Sequence, residues 1–131
     1  MSTIFTKIIN REIPAHIVAE DDNYLAFLDI NPLVKGHTLV IPKKEVNYIF
    51  DLDDQTLSGL NLFAKRVAKA IEKVVKCERI GVTVIGLEVP HAHIHLIPIN
   101  RMADMNFANE KLKLSADELA DIANQIRHTF E

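Results

Sequence analysis

Short β-prone runs broken by turn residues alternate along this chain with stretches whose apolar residues recur every three or four positions. The first pattern predicts strands and the second helices. Residues 4–9 are apolar apart from Thr6 and Lys7 and precede Pro14, which predicts a short helix or turn at the edge of the fold, placed like a lid. Residues 16–20 and 24–28 are β-prone and are separated by Asp21-Asp22-Asn23, whose side chains favour a tight turn, so they predict a hairpin. After a loop containing Asn31, Pro32 and Gly36, residues 37–42 predict a third strand that Pro42 ends.

From Asp53 the period changes. Leu57, Leu60, Ala64, Val67, Ile71 and Val74 fall on one stripe of a helix over residues 54–76, about five turns long, with Asp53 or Asp54 as its N-cap. A stripe of that length packs on a sheet face. Residues 79–85 and 91–99 read as two more strands, the second just beyond Pro90. Ser115 and Glu118 form a capping box ahead of Leu119, Ile122, Ala123, Ile126 and Phe130, which predicts a C-terminal helix. With no internal repeat or linker, the expectation is one α+β domain over residues 1–131. It has a five-stranded, mainly antiparallel sheet, one long helix packed on it and a C-terminal helix.

Composition narrows the function classes. The 131 residues are 48% hydrophobic and 25% charged, with four Gly and five Pro, so one ordinary core is expected rather than disorder. Fifteen basic against eighteen acidic side chains give a net charge of −3, which offers no electrostatic footprint for a nucleic acid. The single cysteine, Cys77, has no partner for a disulfide or a paired-thiol site, which implies a reducing compartment. Lys7, Arg11 and Glu12 interrupt the N-terminal region, and no uncharged apolar run is long enough to span a bilayer. A cytoplasmic protein with no membrane partner is expected.

Three of the six histidines stand at 91, 93 and 95. On a strand, alternate side chains share a face, so the three imidazoles would form a row about 13 Å long, with Ala92, Ile94, Leu96 and Pro98 on the core side. One zinc ion, holding nitrogens at about 2.0–2.1 Å, could reach two neighbours in such a row but hardly all three. A row of imidazoles suits an extended anion such as a phosphate ester, with one ring as nucleophile and the others as donors. A metal site from His37, His93 and His95, or three merely solvated histidines, remain as alternatives.

The run His91-Ala92-His93-Ile94-His95-Leu96-Ile97 resembles the motif of the histidine triad (HIT) nucleotide hydrolases and transferases. Residues 4–9, Glu12-Ile13-Pro14-Ala15, Glu20-Asp21-Asp22, residues 25–30 and residues 37–43 resemble the Hint branch of that family, in register. The resemblance implies a homodimer that needs no cofactor and no metal. It implies His93 as nucleophile on the α-phosphorus, supported by the main-chain carbonyl of His91, with His95 and His37 contacting phosphate. Asp29 matches the residue that holds the ribose hydroxyls, while Ile4, Phe5, Ile8, Phe27 and Ile30 would line a purine pocket. His16, His128 and Cys77 match nothing in the motif.

The implied activity is hydrolysis of a purine nucleoside 5′-phosphoramidate or related nucleotidyl bond, releasing a nucleoside monophosphate. A dinucleoside polyphosphate hydrolase of the Fhit type, a nucleotide-binding module without turnover and a metallohydrolase are the alternatives. The departures lie just before the triad. Gly86-Leu87-Glu88-Val89 replaces a segment that in the family supplies an amide and a hydroxyl, and Glu88 becomes a candidate proton donor to the leaving group. Glu45 stands where the Hint branch often has histidine.

Overall fold

Asp21 closes the first hairpin. Its Oδ1 accepts hydrogen bonds from the amides of Asn23 and Tyr24, each at 2.8 Å, so the chain reverses between β1 (Ile17–Glu20) and β2 (Tyr24–Leu28). The computed structural model describes residues 2–131. With β3 (Thr38–Pro42), β4 (Arg79–Thr83) and β5 (Ile94–Ile99) the sheet has five strands in the order β1-β2-β3-β5-β4, every pairing antiparallel. The helices are α1 (Ile4–Ile9), α2 (Asp54–Val74) and α3 (Ala116–Thr129). This is the expected fold class, with the long helix and the C-terminal helix both present.

Strand alternation sorts the two faces of the sheet. Tyr24, Ala26, Leu28, Val40, Ile94 and Leu96 turn to one face and form the main core with Leu60, Phe63, Ala64, Val67 and Ile71 of α2 and Ile122 and Ile126 of α3. Leu25, Phe27, Leu39 and Ile41 turn the other way and pack against Phe5 and Ile8 of α1. Both long helices start where the sequence predicts. Asp53 accepts the Thr56 amide at 2.7 Å, and Ser115 and Glu118 exchange backbone and side-chain bonds. Gly36 has φ +91°, and a Cβ there would stand 2.9 Å from Cγ2 of Val75; only glycine lets the chain turn this closely over α2 into β3.

Three boundaries differ from expectation by two residues or more. Helix α2 stops at Val74, because Val75 is already extended (φ −111°, ψ 118°) and buried. Strand β4 ends at Thr83 rather than residue 85, since its last partner on β5 is His95. Strand β5 begins at Ile94, so His91 and His93 precede it. Pro90 has no amide to give a ladder, and the chain is held here by a loop: His91 N bonds Val89 O at 2.8 Å and Ala92 N bonds Val46 O at 2.7 Å. Among the described residues, no helix is long and apolar enough to cross a membrane.

Candidate functional site

His37, the residue before β3, and His95, on the adjacent β5, meet with His37 Nε2 3.0 Å from His95 Nδ1. The Leu33 amide lies 3.1 Å from His37 Nδ1. An amide nitrogen only donates, so His37 Nδ1 accepts and its proton is on Nε2. That proton goes to His95 Nδ1, which leaves the proton of His95 on Nε2. Burial holds both rings neutral, driving His37 down to about 3 and His95 to about 4 from 6.5.

His93 Nδ1 lies 2.7 Å from the carbonyl of His91. A carbonyl only accepts, so Nδ1–H donates, and in the neutral ring it is Nε2 that carries the lone pair. The ring centroids of His93 and His95 are 5.0 Å apart and those of His95 and His37 5.2 Å. The row of imidazoles therefore runs His93, His95, His37. The expected row through His91 does not form, because residues 91–93 lie outside the pleated ladder that a period of two requires. His91 is buried and turned elsewhere, its Nε2 donating to Pro42 O at 2.8 Å and its Nδ1 facing Thr3 Oγ1 at 3.2 Å.

A cavity of about 390 Å³ opens beside the row and gathers Ile4, Phe5, Asp29, Ile30, Glu88, His93 and His95 from the sequence-predicted set. Ile4 and Ile30 are 52% and 63% exposed, so they are open apolar faces rather than core. Ile8 and Phe27 lie in the small core beneath, with Phe27 edge-on to Phe5 at 5.4 Å. His37 stands behind His95, bonded to it. Asp29 Oδ1 accepts the Asn31 amide at 2.8 Å, and Oδ2 lies 3.7 Å from His37 Nε2. Burial pushes the Asp29 carboxyl above its usual range. Leu87, 88% exposed, and Glu88, also exposed, sit on the loop at the rim.

Sequence reasoning missed Phe107. Its ring stands edge-on to His95 at 5.0 Å and to His37 at 6.1 Å, and it lines the same cavity. The segment around it is tied back to the protein, with Lys111 Nζ on Phe107 O at 2.5 Å and Leu112 N on Pro32 O at 2.8 Å. One bulky aromatic among polar neighbours at residues 106–111 is the signal that could have marked it.

Asp29, His37 and His95 each offer a metal-ligand atom, all within 4.8 Å of one another. The proton order opposes a cation there. The Leu33 amide keeps the His37 proton on Nε2, the nitrogen that would have to be bare. The donor set fits a phosphoryl oxygen better than a metal ion.

A model of the HIT domain family matches residues 10–102. The adenosine 5′-monophosphoramidase of Schizosaccharomyces pombe is 40% identical over 100 residues, covering 75% of this chain and 74% of that protein. Among solved structures, a Hit-like protein from Bartonella henselae aligns with TM-score 0.85 and 34% identity over 98% of this chain and 96% of its own. A hypothetical histidine triad nucleotide-binding protein from Sulfolobus tokodaii aligns with TM-score 0.81 and 30% identity, over 95% and 89% of the two chains.

Proposed function

This chain belongs to the histidine triad (HIT) family, close to its Hint-type members, and from that premise we propose that it hydrolyses a purine nucleoside 5′-phosphoramidate or related nucleotidyl bond through a covalent intermediate on His93. The observation that carries this reading is the bond from His93 Nδ1 to the His91 carbonyl, which leaves Nε2 as a lone pair on a ring lining the cavity. That nitrogen attacks the α-phosphorus. A phosphorus–nitrogen bond forms to His93 as the bond to the leaving amine breaks, and the amine takes a proton from Glu88 or from water. Water then attacks the phosphorus, the phosphorus–nitrogen bond to His93 breaks, the proton that water loses replaces the one given to the amine, and the monophosphate leaves.

The other residues take roles that follow from their donors. His95 presents Nε2–H to a phosphoryl oxygen, and His37 holds it in that tautomer. The carboxylate of Asp29 accepts from the ribose hydroxyls with Oδ2, since Oδ1 is engaged by Asn31. Ile4, Phe5 and Ile30 flank the base, with Ile8 and Phe27 supporting them. No metal or cofactor has a step in this sequence of bonds.

A second copy of the chain is part of the same proposal. β4 is an edge strand, and near it Tyr48, Phe50, Val82, Ile85 and Leu87 expose apolar side chains that a two-fold partner would cover. Sedimentation equilibrium should show a dimer at micromolar concentration; a 14.8 kDa species there refutes it.

The function is tested with phosphoramidate and dinucleoside polyphosphate substrates assayed with chelator present. Turnover of a purine phosphoramidate, unaffected by chelator, is the expected result. Preference for the dinucleotide moves the activity to the Fhit type, loss with chelator makes it a metallohydrolase, and no turnover leaves a nucleotide-binding module.

A further inference from the structure

Glu45 takes no part in the row of imidazoles, and His91 enters the proposed reaction only through its carbonyl. Their side chains are nevertheless joined across the start of α1. Thr6 Oγ1 donates to Glu45 Oε1 at 2.5 Å, and the Thr3 amide donates to the same oxygen at 2.9 Å. Thr3 Oγ1 accepts the Thr6 amide at 3.1 Å, which caps the helix. The proton of Thr3 Oγ1 goes to His91 Nδ1 at 3.2 Å, because Nε2 of that ring already donates to the Pro42 carbonyl. Thr6 Oγ1 also lies within reach of that hydroxyl, but at the longer 3.4 Å, so the bonds link the exposed carboxylate of Glu45 to the buried carbonyl at the end of β3.

The linkage bears on the site through Phe5, which lies between the two threonines in sequence. Its ring stands edge-on to His93 at 5.0 Å and to His91 at 5.9 Å. A helix of six residues is too short to hold its own shape, so its place depends on what it is fastened to. We propose that Glu45 is a positioning residue. With Thr3, Thr6 and His91 it forms a clasp that fastens α1 against the loop carrying His93, and so sets the base side of the cavity. The two Thr3 and Thr6 bonds hold the Glu45 carboxyl below its usual range, which keeps the acceptor ionised.

The kinetic part of the test rests on the nucleotidyl hydrolase reading; the exchange part does not. In the whole chain, Glu45→Ala, Thr6→Val and Glu45→Gln are compared by amide hydrogen exchange of α1 and by steady-state kinetics. The substrates are adenosine 5′-phosphoramidate and the base-free ribose 5-phosphoramidate. For Glu45→Ala and Thr6→Val the α1 amides should exchange about tenfold faster and KM for the adenosine substrate should rise about tenfold, with kcat and the base-free substrate within about threefold of the parent. Glu45→Gln retains an acceptor and should restore most of both. Unchanged α1 exchange in both disruptive variants overturns the clasp, and so does an equal loss on both substrates. A parent without phosphoramidase activity sinks the functional reading alone, and the exchange data then decide the clasp.

Discussion

The backbone amide of Leu33 fixes where the proton of His95 sits. Leu33 donates to His37 Nδ1 at 3.1 Å, His37 Nε2 donates to His95 Nδ1 at 3.0 Å, and His95 is left with its proton on Nε2. The N–H that the proposed mechanism offers to phosphate is thus set by a main-chain group two hydrogen bonds away. The arrangement works only while both rings are neutral, and burial keeps them so.

That neutrality has a stability consequence. His37, His91 and His95 are all pushed below 6.5 by burial, His37 to about 3 and His95 to about 4. The unfolded chain therefore binds more protons than the folded one below 6.5, so stability is complete above that pH and falls as pH decreases through the window. Asp29, raised by burial, acts in the opposite sense above 3.8, one carboxyl against three imidazoles. The denaturant midpoint should be level near pH 7.5 and fall between about pH 6.5 and 4.5, less steeply in His37→Asn. A midpoint level down to about pH 4.5 contradicts the buried-neutral assignment.

Asp29→Asn should weaken discrimination between ribonucleotides and 2′,3′-dideoxynucleotides, because a charge-assisted hydrogen bond of roughly 1.5–3 kcal/mol loses its charge. Competition binding of the two ligands measures it. Equal loss of affinity for both would leave Asp29 with only its bond to the Asn31 amide, a turn cap.

Phe107→Ala should admit water to the His95–His37 pair, since the ring lies against both. Desolvation is the main cause of their lowered pKa values, so the variant moves both upward. The acid limb of the kcat–pH profile should shift to higher pH. An unmoved limb means that Phe107 walls the cavity without drying it.

Glu88→Gln tests the proton donor on the rim. Substrates with poor leaving groups should slow by roughly 10²-fold while an activated aryl ester hardly changes, because general acid catalysis matters only where the leaving group needs a proton. Equal rates for both substrate types return Glu88 to the solvated surface.

Local signals were legible in the sequence and long-range ones were not. Asp53, Ser115 and Glu118 cap the helices as read, because capping chemistry is complete within four residues. The spacing of His91, His93 and His95 marked the site, but its period-two reading put the wrong third ring in the row. Whether residues 91–93 join a strand depends on where the pairing with β3 and β4 ends, at Val40 and Thr83, and no local pattern records that. Phe107 and Glu45 stayed uninterpreted for the same reason, since one acts on rings far earlier in the chain and the other on α1.

Covalent transfer to His93 is read out by stopping the reaction during turnover under alkaline conditions and weighing the peptides. One nucleotidyl group should appear on the peptide containing His93, formed before product accumulates and cleared as substrate runs out. Product released at full rate while that peptide stays unmodified, or a nucleotidyl group on another residue, would contradict it.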